Sequence, residues 1–318
     1  MVSRLAQEWQ ALRSFVQAST EKRGSSLGVW EAGVMEQLIW RTEPPSGQPI
    51  MAVALRGLFD VAGAATDAIG HLDQRGTPTD IASIDPEVFF DFTQERPMVR
   101  LEDDGTRSLA WPQNDARAMT IDDDPLVTLA GIEPHLRWRT FADAIAAIAV
   151  RCDAKLVVTL GAMVGMAPHT RPLGVVGSAT NPELARRLGL SRPSYEGPTG
   201  LVGVLHDSLN RAKLPVISLR VSVPHYVPSA PNPEATRSLL ARFELVTGIT
   251  TEHRSLDDAA ADWRQRVDSA VSDDDEMATY VTQLEKQVDA SVDDLLPSGD
   301  DLAAELQAFL RDQQSDTD

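Results

Sequence analysis

This 318-residue sequence predicts a three-layer α/β/α fold built on a mixed, largely parallel sheet. Apolar, β-branched runs at 51–56, 126–130, 155–160, 173–177 and 215–223 read as strands of one sheet. Segments with helical spacing alternate with them. The same signature, an Asp or Asn followed by Pro and Glu, opens three helices at Asp85, Asn181 and Asn232; it supplies a cap, a proline that tolerates the first helical position, and an acid placed for the helix dipole.

In residues 1–48, an N-terminal arm, Leu5, Trp9, Leu12 and Val16 recur at helical spacing before a polar stretch with Gly and Pro. The α/β core is expected over 49–250. It opens on a buried strand, a turn at Gly57, and a helix lined by Val61, Ala65, Ile69 and Leu72. Asp60 stands before that helix as a cap, and from there its carboxylate can also meet a ligand. Residues 98–101 and 107–111 flank Asp104 and Gly105, a pair that accepts positive φ, so an inserted antiparallel hairpin is expected. Asp122, Asp123 and Asp124 read as a solvated loop before Pro125 rather than a cation site. Thr140 and Asp143 are spaced as a capping pair for a helix carrying Phe141, Ile145, Ile148 and Cys152 on one face.

That helix leads into the central strand, 155–160, which Gly161 and Gly165 release into Ala167, Pro168, His169, Thr170, Arg171 and Pro172. Two prolines fix this turn and direct its polar side chains outward, at the end of a parallel strand where open α/β sheets bind ligands. Gly197, Gly200 and Gly203 bracket the start of a helix carrying Leu201, Leu205 and Leu209. The pattern is neither a dinucleotide fingerprint nor a P-loop, although free N–H groups there can hold an anion. Ile217, Leu219, Val221 and Val223 alternate with Ser218, Arg220 and Ser222, which predicts a strand covered on one face only, set toward the sheet's margin or facing a polar contact. It ends in a second Pro-His turn, Pro224, His225, Tyr226.

Residues 251–311 read as a helical extension. Leu256, Ala260, Trp263 and Val267 make one apolar stripe and Met277, Tyr280, Leu284 and Val288 another, as in an αα-hairpin. Ser255 with Asp258, Ser272 with Asp275, and Ser298 with Asp301 are spaced as helix caps. The acids from Asp273 to Glu276 read as first-turn charge rather than a metal site. A disordered acidic tail is expected over 312–318.

The formal charge of −18 is unevenly distributed: residues 256–318 hold 18 acids and 4 bases. The rest of the chain is near neutral, so neither nucleic acid nor an anionic membrane surface is expected as partner. No stretch is apolar enough to span a bilayer and no signal peptide is evident. The single cysteine, Cys152, excludes a disulfide within the chain and fits a buried thiol in a reducing compartment, so a cytoplasmic protein is expected.

The order of motifs resembles the proteasome assembly chaperone family, in the actinobacterial-type members of the branch named after its second chaperone. The resemblance covers about residues 50–290 and rests on ALRGLFDVAG (54–63), Arg96 and Pro97 with Trp111 and Pro112, GIEPHLRWRTF (131–141), APHTRP (167–172) and EGPTG (196–200). It implies a core similar to nucleoside phosphorylases, a C-terminal helical extension and self-association, with a trimer favoured. Family members that dock on proteasome α-subunits do so through a C-terminal tripeptide with Tyr at its centre; this sequence ends Asp316, Thr317, Asp318. Val61 and Ala62 also separate Asp60 from Gly63 where relatives often have one residue.

Two functions compete. One is a non-catalytic protein-binding scaffold, with a proteasome-related partner and with Trp263, Met277, Tyr280 and Leu284 as an oligomer or packing surface; no nucleophile, base and orienter stand at informative spacing. The other is a small-molecule binder or enzyme, akin to ATP-dependent carboxylate ligases or phosphorylases. Its pocket would lie at the carboxyl rim of the sheet and draw on Asp60, His169, Thr170, Arg171, Glu196, Thr199 and His225. His169 and His225 are also the kind of proline-flanked histidines that bond to local backbone. No catalytic residue, cofactor or metal is assigned: the histidines lack HExxH spacing, and one cysteine makes no thiolate zinc site.

Overall fold

The computed structural model describes residues 36–229 and 231–293. The helix expected from Leu5 to Val16, the Ser298–Asp301 cap and the tail at 312–318 lie outside the described residues.

All five expected strands enter one eight-stranded sheet, in the order β1-β3-β6-β7-β2-β8-β10-β9. Its centre is parallel: β7 (Asp124–Ile132), β2 (Ile50–Arg56), β8 (Leu156–Gly165) and β10 (Val216–Pro224). Antiparallel strands flank it, β1 (Leu38–Trp40), β3 (Thr79–Ile84) and β6 (Asp115–Ile121) on one side and β9 (Val175–Ala179) on the other. The pleat sends alternate residues to opposite faces. Ile50, Ala52 and Ala54 of β2 pack with Val158 and Leu160 against α1 (Ala64–Arg75) and α5 (Pro233–Thr247). Met51, Val53 and Leu55 pack with Val157 against α2 (Trp138–Arg151) and α4 (Leu201–Arg211). The result is the three-layer α/β/α fold.

The Asx-Pro-Glu signature caps as expected: Asp85 accepts from the Glu87 N–H at 3.0 Å, Asn181 from Leu184 at 3.0 Å above the short helix α3 (Pro182–Arg187), and Asn232 from Ala235 at 3.0 Å. Hairpin β4 (Met98–Leu101) and β5 (Arg107–Ala110) forms a separate two-stranded sheet with Gly105 at φ +81°. Asp122 and Asp123 are the two-residue turn joining β6 to β7, both at positive φ, which Asp tolerates better than most residues.

Several boundaries differ from the sequence expectation. Strand β8 does not stop at Leu160 but stays paired with β10 to Gly165. Gly161 and Gly165 serve close packing instead of release, because a Cβ at either would lie 3.3 Å from the Phe59 carbonyl oxygen or 3.0 Å from the Ser222 Cβ. Strand β9 starts at Val175 rather than Leu173 and is the last strand of the sheet, paired with β10 and bridged on its other side from Ser178 to Ser191. Thr140 and Asp143 do not cap α2, which begins before them at Trp138. Asp143 instead accepts from Ser208 and Arg211 of α4, at 2.5 and 2.9 Å.

The extension is an αα-hairpin of α6 (Asp257–Ser272) and α7 (Asp275–Asp293). Ser255 and Ser272 do not cap it. A 3₁₀ turn from His253 to Leu256 precedes α6, and Ser272 donates back to the Asp268 carbonyl at 2.8 Å. Asp274 takes the capping role for α7, accepting from the N–H groups of Glu276 and Met277 at 3.0 and 3.1 Å.

Candidate functional site

Both Pro-His turns sit at the carboxyl rim of β8 and β10, and the structure brings them together beneath the extension. His169 is 1 % exposed. The Tyr226 hydroxyl accepts from the His169 main-chain N–H at 2.8 Å and lies 2.7 Å from Nδ1. With the Tyr226 hydroxyl donating to Nδ1, Nε2 is the ring nitrogen left to donate to Asp268 of α6, 2.9 Å away. Every polar atom of the imidazole is thus committed. Burial, reinforced by the nearby carboxylates of Glu285 and Asp268, raises the Tyr226 pKa despite the His169 N–H, so the phenol keeps its proton.

Thr170 donates to Glu285 of α7. Arg171 makes a two-pronged pair with Asp289, Nε to Oδ1 at 2.9 Å and an outer nitrogen to Oδ2 at 2.8 Å, with Glu285 at 3.4 Å. These bonds raise the guanidinium pKa and lower that of Asp289. His225 faces the Gly165 carbonyl with Nδ1 at 3.3 Å, so that nitrogen carries the proton and Nε2 accepts from Tyr280 of α7 at 3.1 Å. Under this polar lattice Trp263, Val267, Val271 and Val281 close a small core against Tyr226 and Val227.

The other candidates stand apart from this cluster. Asp60 turns inward to the head of α1, where Oδ1 accepts from Ala65 and Thr66 at 2.8 and 3.2 Å and Oδ2 from the Thr66 hydroxyl at 2.6 Å, the cap expected of it. Glu196 and Thr199 stand on an exposed loop whose Gly200 packs against Phe59 and Leu58. Trp263 and Leu284 are buried within the chain, and Met277 and Tyr280 half-buried, so all four pack on their own sheet domain.

Sequence reasoning missed the partners: Tyr226, Asp268, Glu285 and Asp289. The spacing of Glu285 and Asp289, one helical turn apart, was the available signal, obscured because the extension is acidic throughout. A second polar cluster was also missed. At the carboxyl ends of β2 and β7, two of the motif stretches meet the segment before Arg96 in a cleft of about 510 Å³ lined by Arg56, Leu58, Glu95, Glu133, His135 and Trp138. Arg56 pairs with Glu95 at 2.6 Å, Glu133 accepts from the Leu58 N–H at 3.1 Å, and His135 Nδ1 accepts from the Asp91 N–H at 3.1 Å. These bonds splice the loops together. Gly57 and Gly131 permit the splice, because a Cβ on them would meet Glu133 at 2.4 Å and Asn114 at 1.9 Å.

No curated protein matches the sequence. A crystal structure of a PAC2 family protein from Streptomyces avermitilis is 38 % identical, with a TM-score of 0.69 over 74 % of this chain and 100 % of that one. A Mycobacterium tuberculosis protein described as a proteasome-assembly chaperone homologue is 36 % identical, with a TM-score of 0.67 over 73 % of this chain and 99 % of that one. Pyrococcus furiosus PbaB, an archaeal proteasome activator, is 15 % identical and shares the fold, with a TM-score of 0.59 over 73 % of this chain and 97 % of that one. The PAC2 family model matches residues 54–271, and the chain belongs to the PAC2 family.

Proposed function

We propose that this protein is a non-catalytic, protein-binding scaffold that works on proteasome assembly through its surface and as a homo-oligomer in the cytoplasm. The observation that carries this reading is the use made of the rim. The residues best placed to bind a small molecule, His169, Thr170, Arg171 and His225, spend their hydrogen bonds on Tyr226, Asp268, Glu285, Asp289, Tyr280 and the Gly165 carbonyl. A catalytic site requires polar groups that are positioned yet free to meet substrate. Here they are positioned and already engaged. The likeness to a mycobacterial protein described as a proteasome-assembly chaperone homologue supplies the partner class. No helix among the described residues is long and apolar enough to cross a membrane.

The test is to mix the purified full chain with proteasome α- and β-subunits of its own organism and follow formation of the core particle by native mass spectrometry. A complex between this chain and α-subunits, with altered assembly kinetics, is expected. Unaltered assembly without a complex would contradict the reading, the more so if a nucleotide or carboxylate raised the melting temperature of the chain.

A further inference from the structure

Strands β2 and β7 lie side by side and parallel, yet the chain leaves them in opposite directions: β2 leads to α1 on one face of the sheet and β7 to α2 on the other. Loops that diverge in this way open a crevice at the carboxyl ends of their strands, the usual ligand position in an open α/β sheet. The cleft of about 510 Å³ lies there, and none of its described lining residues belongs to the extension that closes the rest of the rim. Its carboxylates are already engaged. Glu95 pairs with Arg56, Glu133 accepts the Leu58 N–H, and nearby Asp91 accepts from Thr93 and the Gln94 amide. Several of its donors are spare. His135 receives the Asp91 N–H on Nδ1, which places the ring proton on Nε2, and no described residue accepts it. The Arg56 side chain is 56 % exposed and gives one nitrogen to Glu95. Arg96, beside Glu95, and Arg137 and Arg139, on either side of Trp138, are exposed and form no ion pair with a described residue. On a chain of formal charge −18 this is a cationic spot. Apolar surface flanks it: Leu58 and Leu136 are 68 and 52 % exposed, and Ile132 and Trp138 are half-buried.

Resting on the scaffold reading above, we infer that this cleft is a docking site for an acidic linear segment of a partner protein, one that carries a large apolar side chain next to its acids. The apolar side chain takes Trp138, Ile132 and Leu58 out of water, while the acids meet Arg56, Arg137, Arg139 and the His135 Nε2–H. Charge sets orientation and rate of encounter, and the apolar contact supplies most of the affinity. Nucleic acid fits poorly, because Glu95, Glu133 and Asp91 interrupt the cations where a phosphate backbone needs a continuous basic face. Nor does the arrangement perform chemistry. Each carboxylate that could act as a base is already bonded, and what remains free is a set of donors suited to holding an anion in place.

The experiment pans a phage-displayed library of short linear peptides on the full chain. Enriched sequences are expected to carry Asp or Glu beside Leu, Ile, Phe or Trp. Synthetic copies should bind in fluorescence anisotropy, with an affinity that falls as salt rises from about 0.05 to 0.3 M, since exposed charges are screened. Leu58→Glu with Arg139→Glu changes two exposed side chains, so it should keep the native circular dichroism and melting while weakening these peptides by about tenfold or more. Arg139→Glu alone should weaken them less, and it serves as the test should the pair disturb folding. No enrichment, enriched peptides without acids, or peptides that bind the folded variants as well as the native chain would overturn the inference. The same peptides separate it from the reading it rests on. Binding as expected by a chain that forms no complex with α-subunits upholds the cleft and contradicts the proteasome partner; a complex that the altered cleft leaves intact, without peptide binding, does the reverse.

Discussion

His206 carries the clearest pH signature in the molecule. On α4, its ring lies against the Thr159 hydroxyl at 2.8 Å, and burial, with the Arg220 charge second, holds its pKa down to about 4. The folded state therefore binds this proton less readily than the unfolded chain. Its contribution is complete above the ordinary value of 6.5 and is lost as pH falls from there to about 4. Across that interval the loss amounts to roughly 3 kcal/mol. Denaturant titrations at pH 7 and pH 4.5 should show it, and His206→Gln should flatten the difference. Asp60 is a simpler case. Removing its three bonds to the head of α1 by Asp60→Ala should cost about 1–2 kcal/mol in chemical denaturation. Cys152 should resist thiol reagents in the native protein, since burial pushes its pKa up to about 12.

At the scale of elements, packing decides where the extension goes and polar contacts decide how it is oriented. Trp263 is 4 % exposed and anchors the small core under α6 and α7, so Trp263→Ala should cost about 3–5 kcal/mol. Arg171→Ala removes a solvent-screened ion pair and should cost far less. Limited proteolysis of both variants checks the order: cleavage within 257–293 should rise sharply in the first and slightly in the second. The elements legible in the sequence were those with one dominant signal. Strands β2, β7 and β8 are uninterrupted apolar runs because helices cover both faces, and the three Asx-Pro-Glu starts carry their own hydrogen-bond logic. Strands β3 and β6 escaped notice because Asp80, Ser83, Asp115 and Arg117 break their apolar pattern; Arg117 bonds to Asp73 and Asp80 at 2.8 and 3.1 Å, a network that exists only once the strands are paired. The Ser272 motif misled for a related reason. A motif fixes spacing alone, and Asp274 was better placed to reach two N–H groups.

In the whole molecule, the rim that an α/β sheet ordinarily offers to a ligand is closed by the chain's own C-terminal hairpin. His169, Arg171 and His225 were legible as rim residues, since Pro-His turns after apolar strands have few other places to be. What they touch was illegible, because Asp268, Glu285 and Asp289 lie 99 or more residues away and look like ordinary surface charge. Native-state hydrogen exchange tests this closure most directly. Amides of α6 and α7 are expected to exchange as slowly as those of α5 beneath them, and Trp263→Ala should release 257–290 while α5 and the central strands stay protected. Fast exchange throughout α6 and α7 in the unaltered protein, with the sheet still protected, would show the rim to be open and the account wrong.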